Sequence, residues 1–88
     1  LLRALACLLA WIQVKHIIVC GHYDCGGVRA AMKNHDHGLI ENWIMGVRDV
    51  ARLHRKELKA LDDNEAMHRR LVELNVQEQC VKVIGRTI

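Results

Sequence analysis

The chain has 88 residues, of which 51 % are apolar and 26 % are charged, and its formal net charge is +3. This length allows one domain at most, and no apolar run reaches the roughly 18 to 20 residues that a membrane span requires. Basic residues are interspersed with acids, and the aromatic residues are two Trp, one Tyr and no Phe, which argues against a nucleic-acid-binding surface.

The first predicted element is a helix over residues 2–12, LRALACLLAWI, which is apolar at almost every position. A signal peptide shares this apolar character, but no small-residue cleavage site follows. We therefore expect a protein that is not secreted and that lies in the cytoplasm, or in the stroma or matrix of an organelle. The four cysteines are unevenly spaced, at Cys7, Cys20, Cys25 and Cys80, which favours reduced thiols over two disulfides.

A short buried strand is predicted next, from Val14 to Cys20. Its β-branched residues Ile17, Ile18 and Val19 form a continuous run, which is typical of a central parallel strand covered on both faces. A glycine-bearing loop follows, and then a short predicted helix over Val28 to Met32. This order matches the first half of a β–α–β unit, in which functional groups gather at the carboxyl end of the strand.

Two longer helices are predicted in the second half of the chain. Residues 34–38 form a loop of turn formers, and an amphipathic helix then runs from Leu39 to about Leu58. Asp63 or Asn64 is suited to cap the next helical region, and Glu65 to Ile84 is predicted to form one helix or two abutting helices. The apolar residues that indicate these two helices are Leu39, Ile40, Trp43, Ile44, Val47, Val50, Ala51, Met67, Leu71, Leu74, Val76, Cys80 and Ile84.

The loop between the strand and the first short helix carries the chemistry. His22 and Cys25 have the spacing His-x-x-Cys, which lets an imidazole and a thiolate bind one metal ion at about 2.0 to 2.1 Å and 2.3 Å. An isolated pair of this kind is more often a loop histidine and a core cysteine, but here glycines surround it. Gly21 allows a sharp turn, Gly26 and Gly27 allow a close backbone approach, and the helix N-terminus favours an anionic sulfur. We predict a metal site with two ligands and three loop-shaping glycines.

The other cysteines and histidines are expected to lie outside this site. Cysteines on apolar helix faces act as small hydrophobes, and histidines among charged neighbours are expected to be solvated. The residues assigned in this way are Cys7, Cys20 and Cys80, as structural thiols, and His16, His54 and His68, as solvated imidazoles. His35 and His37 leave open one alternative, a zinc-dependent binding module whose other ligands are His22 and Cys25.

Three blocks in order resemble the central part of a β-class carbonic anhydrase: VKHIIVCGHYDCGGVRAAM, GLIENWIMGVRD and ELNVQEQ. The resemblance covers about residues 9–88. It implies an α/β fold, here a segment of a parallel-sheet, βαβ-type domain that is mostly helical, with one central strand and several helices. Residues 1–88 are then expected to form a single partial domain, which lacks the family's N-terminal Cys-x-Asp-x-Arg region and its C-terminal strands.

The resemblance also implies an activity, that of a zinc-dependent carbonate dehydratase, a lyase. Such an enzyme interconverts carbon dioxide and bicarbonate through hydroxide on the zinc ion. In this family two cysteines and a histidine hold the zinc, and His22 and Cys25 match the histidine and the second cysteine. The first cysteine and the catalytic Asp and Arg belong to Cys-x-Asp-x-Arg, which does not occur in this sequence.

An incomplete ligand set has consequences for the 88 residues taken alone. Two ligands leave half of a tetrahedral zinc site unfilled, so we expect the isolated segment to be inactive. It is part of a longer enzyme or, alternatively, of a structural or binding subunit that keeps the fold without a complete zinc site. A single strand is unstable by itself, and the resemblance implies homodimers that pair into larger assemblies.

Overall fold

A computed structural model describes residues 15–33 and 38–87. Its helices are α1 (Gly26–Met32), α2 (Glu41–Leu53), α3 (Arg55–Lys59) and α4 (Asn64–Thr87), and a 3-10 turn at Gly38–Ile40 leads into α2. The helix predicted over residues 2–12, with Cys7, lies outside the described residues, as do His35 and His37. Among the described helices, none has both the length and the apolar character needed to cross a membrane.

The predicted strand is not formed. Residues 16–20 belong to no helix or strand, and no strand occurs anywhere in the two described ranges. Ile18 keeps 83 % of its surface exposed and Ile17 keeps 38 %, so the prediction that this run is covered on both faces is wrong for this chain. The backbone groups of a strand are satisfied only by neighbouring strands, and the described residues supply none. The parallel sheet of the expected α/β fold is therefore not seen in them.

The helices predicted within the described residues are confirmed, with shifted ends. α1 begins at Gly26 rather than at Val28, and the helix expected from Leu39 to Leu58 is interrupted at His54, which separates α2 from α3. α4 begins after Asp63, as predicted. The Asp63 carboxylate accepts a hydrogen bond from the backbone N–H of Glu65 at 3.3 Å, and its carbonyl oxygen accepts one from the N–H of Met67 at 3.0 Å.

One apolar core joins the helices. α1, α2 and α4 contact one another, and α3 contacts α2 and α4. The apolar face predicted for the helix from Leu39 is partly wrong, because Leu39, in the 3-10 turn, and Trp43, in α2, are exposed while Ile44 is fully buried. The buried apolar residues are Val28, Ala31, Ile44, Val47, Val50, Leu58, Leu71, Val72 and Leu74.

Arg48 attaches the end of α1 to α2. Its guanidinium donates hydrogen bonds to the carbonyl oxygens of Ala31, at 3.4 Å, and Lys33, at 3.1 Å, and it pairs with Glu41 in α2. A cation at a helix C-terminus satisfies carbonyl groups that the helix itself leaves free. These contacts fix α1, and with it the loop that precedes α1, on α2.

Candidate metal centre

The loop that precedes α1 lies directly against α4. A Cβ atom at Gly21 would lie 2.6 Å from Cγ2 of Val76 and 3.5 Å from Cγ1 of Val72, and real Cβ atoms essentially never come within 3.0 Å of another atom. A residue with a Cβ atom at this position would force either the loop or the Val76 side chain to shift. The glycine therefore permits the close approach that brings the following residues, His22 to Cys25, onto α4.

His22 is exposed, and a hydrogen bond fixes which of its ring nitrogens carries hydrogen. Nδ1 lies 2.9 Å from the carbonyl oxygen of Tyr23. Because a carbonyl oxygen can only accept, Nδ1 is the donor, and a neutral ring then has its lone pair on Nε2. Histidines that bind a metal commonly donate their other ring N–H to a backbone carbonyl or carboxylate in this way.

Cys25 is half-buried immediately before α1, and hydrogen bonds hold its backbone on both sides. Its carbonyl oxygen accepts from the N–H of Arg29 at 3.0 Å, which is the first hydrogen bond of α1. Its N–H donates to Nε2 of His68 in α4 at 3.2 Å. The backbone of the predicted sulfur ligand is thus fixed by two helices.

An ion-pair network closes the turn between His22 and Cys25. Asp24 has a φ of 54°, a left-handed conformation that is uncommon for a residue other than glycine but is tolerated by Asp. Its carboxylate accepts from Arg29 at 3.1 Å and 2.9 Å, and Arg29 also pairs with Glu65 at 2.7 Å. Hydrogen bonds to Glu65 and then to Asp24 raise the pKa of Arg29, so the turn is held by a permanent cation.

Tyr23 provides a further attachment to α4. Its hydroxyl donates to Glu73 at 2.6 Å, and the Arg69 guanidinium lies 5.9 Å from the centre of its ring. The hydrogen bond to Glu73 raises the pKa of the Tyr23 hydroxyl. The same bond, followed by one from Arg70, lowers the pKa of the Glu73 carboxylate.

Gly26 and Gly27, the other two glycines predicted to shape the loop, differ in how closely other atoms approach them. A Cβ at Gly27 would lie 3.3 Å from Cζ3 of Trp43 and 3.9 Å from Sγ of Cys25, whereas a Cβ at Gly26 would meet nothing within 4 Å. A close approach is therefore present at Gly27 and absent at Gly26. Cys20, expected to be structural, is exposed at the start of the loop.

Two histidines are less solvated than the sequence indicated. His68 was expected in solvent, but it has no exposed surface. The signal was available in the spacing, because Leu71 and Val72 follow it by three and four positions and so share its helix face. His54 is half-buried at the break between α2 and α3, with Nε2 3.1 Å from Oε1 of Glu78.

The donor chemistry of the loop fits zinc, although the ligand set in this chain is incomplete. Zinc binds imidazole nitrogen and thiolate sulfur, which His22 and Cys25 offer, in sites with three or four protein ligands. Within residues 15–33 and 38–87, no group of three or more His, Cys, Asp or Glu side chains is arranged to hold a metal ion. A zinc site built on this loop needs ligands beyond those residues.

Comparison with known proteins gives one consistent family. The carbonic anhydrase family model matches residues 3–88. A carbonic anhydrase of Emericella nidulans is 55 % identical over 77 residues, which cover 88 % of this chain and 34 % of the relative. One of Candida albicans is 39 % identical over 67 residues, with coverages of 74 % and 24 %. A mitochondrial β-carbonic anhydrase of Arabidopsis thaliana is 44 % identical over 39 residues, with coverages of 39 % and 13 %.

The chain therefore spans about a third of the length of the Emericella relative and a smaller share of the other two. The match of the family model nonetheless extends over nearly all of the 88 residues, from residue 3 to residue 88. Both the loop with His22 and Cys25 and the helices that hold it lie within that match. The chain belongs to the β-carbonic anhydrase family.

Proposed function

We propose that this chain is part of a zinc-dependent carbonic anhydrase, which converts carbon dioxide and water into bicarbonate and a proton, and the reverse. Among the observations on the structure, the state of His22 carries the proposal. Its Nδ1–H is bound to the Tyr23 carbonyl oxygen, so Nε2 is the nitrogen left for a metal, three residues before a half-buried cysteine. The relatives named carbonic anhydrase supply the reaction.

His22 and Cys25 would hold the zinc, together with a ligand from sequence outside these 88 residues. When bound, zinc supplies a Lewis acid and makes hydroxide available from water at neutral pH. The catalytic Asp and Arg that the family resemblance implies also lie outside this chain, which would be a partial domain and inactive by itself. This division agrees with the chain's length relative to the Emericella protein, of which it covers 34 %.

Within this chain, the residues around the two ligands have a positioning role. The Tyr23 carbonyl selects the ring nitrogen of His22 that binds, and the Arg29 and His68 bonds fix the Cys25 backbone. The pair between Asp24 and Arg29 then sets the turn that separates the ligands. Ligands held in this way lose little freedom when the metal binds, which favours affinity.

Assembly and location extend the same proposal. Several large apolar side chains stay exposed on the described surface, which supports a homodimer or larger assembly in which other chain covers them. They include Ile18, Leu39, Trp43, Leu53 and Val81. The cytoplasm, or the matrix or stroma of an organelle, is the proposed compartment, and two of the relatives are named as mitochondrial and chloroplastic.

Zinc content and carbon dioxide hydration of the full-length protein test the proposal together. Cys25→Ser is compared with Cys20→Ser, and His22→Ala with His16→Ala, so each ligand variant has a control of the same residue type in the same segment. We expect about one zinc per chain and full activity in the wild type and both controls. A substitution behind a metal ligand typically lowers metal affinity by roughly 10- to 100-fold. Zinc affinity should fall by more than this in each of the two ligand variants.

Two results would contradict this proposal. If Cys25→Ser and His22→Ala keep their zinc, the metal is held elsewhere. If the folded wild-type protein itself binds far less than one zinc per chain and does not hydrate carbon dioxide, the alternative holds, namely a structural or binding subunit that keeps the fold.

A further inference from the structure

Beneath the loop, α4 carries a fully buried imidazole that the ligand set does not use. His68 has no exposed surface, and its Nε2 accepts the backbone N–H of Cys25 at 3.2 Å. Since this nitrogen accepts, a neutral ring carries its hydrogen on Nδ1. That Nδ1 is buried and has no hydrogen-bond partner among the described residues.

Packing alone does not account for an imidazole at this position. A buried N–H group without a partner is unfavourable, whereas a leucine would fill the space between Leu71, Val72 and the loop without that cost. The hydrogen bond to Cys25 is the one contact of His68 that an apolar residue cannot replace. The feature to be explained is therefore the orientation of the Cys25 N–H.

That N–H belongs to the peptide that links Asp24 to Cys25. Asp24 has a φ of 54°, and the orientation of the peptide that follows it is set by ψ of Asp24 and by φ of Cys25, which is −90°. A change in φ of Cys25 would swing its Cα–Cβ bond relative to this peptide, and with it the direction of Sγ. The hydrogen bond from the Cys25 N–H to His68 holds the peptide before the Cys25 Cα, and the bond from the Arg29 N–H to the Cys25 carbonyl oxygen holds the peptide after it. Together they fix the direction in which the Cys25 side chain leaves the backbone.

We propose that His68 is a positioning residue for the zinc-binding sulfur of Cys25, an inference that rests on the proposed function. By holding the Asp24–Cys25 peptide, His68 keeps Sγ within reach of the ion bound by His22. The role requires a hydrogen-bond acceptor at the position of Nε2. It does not require His68 to contact the metal or to change its charge.

Two substitutions in the full-length protein separate this role from simple packing. His68→Leu fills the space but cannot accept the Cys25 N–H, whereas the amide oxygen of His68→Gln can. We expect His68→Leu to lower zinc affinity by about 10- to 100-fold, measured by competition with a chelator. When cobalt replaces zinc in His68→Leu, the thiolate-to-metal absorption band should be weaker than in the wild type or shifted. His68→Gln should restore most of the affinity and the wild-type band.

The inference is overturned if folded His68→Leu binds zinc as tightly as the wild type, or if His68→Gln is as impaired as His68→Leu. Cys25→Ser, measured in parallel, distinguishes the two proposals. If Cys25→Ser keeps its zinc, the proposed function fails and this inference fails with it. If Cys25→Ser loses zinc while His68→Leu keeps it, only the role of His68 is wrong.

A measurement on the unsubstituted protein covers the case in which His68→Leu does not fold. In the ¹⁵N-labelled full-length protein, a through-hydrogen-bond coupling between the Cys25 amide nitrogen and Nε2 of His68 is expected. The imidazole nitrogen shifts of His68 should show hydrogen on Nδ1. A ring with hydrogen on Nε2, and no coupling, would overturn the inference without any substitution.

Discussion

Residues 16–20 and helix α4 were both predicted from apolar patterns, and only α4 forms its predicted structure. α4 satisfies most of its backbone groups within itself and needs neighbours only for one face. Residues 16–20 contain Ile17, Ile18 and Val19, yet they lie in no strand, and Ile18 is 83 % exposed. A helix can thus form within a short chain segment, whereas a central strand depends on strands elsewhere in the sequence.

The loop with His22 and Cys25 lies between these two cases. Its contacts with α4 are made by Gly21, Tyr23 and the Cys25 backbone, and all of them are present in this chain. On the side facing residues 16–20 the described chain provides no sheet. The described residues therefore support the loop on the side of α4 and supply no sheet on the other side.

The largest expected effect is a loss of stability when the apolar core between the helices is disrupted. Ile44 has no exposed surface, whereas its neighbour Met45 is 46 % exposed. Ile44→Ala should destabilise the isolated 88-residue chain by about 2 to 5 kcal/mol, because it leaves a cavity between α2 and the other helices. Denaturant unfolding followed by circular dichroism measures this, with Met45→Ala as the control. Equal effects of the two substitutions would show that this core does not hold the helices together.

Hydrogen exchange tests the comparison directly. In the isolated chain, amides in the buried turns of α4 should exchange at least about 100-fold more slowly than those of Ile17 to Val19, which is about 2.7 kcal/mol of local stability. If the proposed parallel sheet forms in the full-length protein, its strands would pair with residues 17–19, and the amides of these residues should become protected as well. Fast exchange of residues 17–19 in both proteins would mean that they form no strand at all.

Gly21 and Gly26 offer a matched pair for the attachment of the loop to α4. A Cβ at Gly21 would clash with Val76, whereas one at Gly26 would meet nothing within 4 Å. Gly21→Ala should lower the free energy of unfolding of the full-length protein by about 1 to 3 kcal/mol, the usual cost of overpacking. Gly26→Ala should be close to neutral. The opposite ranking would mean that the loop does not lie on α4.

The smallest effect expected is the pH dependence of the contact between Tyr23 and Glu73. Hydrogen bonds from Tyr23 and then from Arg70 lower the pKa of the Glu73 carboxylate. As pH falls, the unfolded chain therefore binds the proton first, and the stabilisation is lost as pH passes through the lower folded-state pKa. Above the ordinary Glu pKa of about 4.3 the stabilisation is fully present.

Accordingly, the stability advantage of the wild type over Glu73→Gln should be small and constant near neutral pH and should shrink as pH falls below about 4. Denaturant midpoints measured between pH 3 and pH 7 check this, with the exposed Asp62→Asn as the control. An advantage that grows on acidification would contradict the assignment of this hydrogen bond.

Prediction from sequence succeeded where the deciding interactions are local. The Asp63 cap and the long α4 helix depend on side chains within a few positions, and both could be read from the pattern. The exposure of Ile18 depends on which segments are neighbours in space, and no local pattern gives that. The burial of His68, by contrast, has a local signal in Leu71 and Val72 on the same helix face. The metal site predicted from the spacing of His22 and Cys25 stays a prediction, whereas the hydrogen bond from Cys25 to His68 joins residues far apart in the sequence and could not be predicted from spacing.

The central claim is that one loop offers an imidazole and a sulfur to the same zinc ion. X-ray absorption at the zinc edge of the full-length protein tests it most directly. We expect sulfur at about 2.3 Å and nitrogen at about 2.0 to 2.1 Å, with one sulfur lost in Cys25→Ser and one nitrogen lost in His22→Ala. Spectra of both variants that match the wild type, with zinc still bound, would contradict the claim.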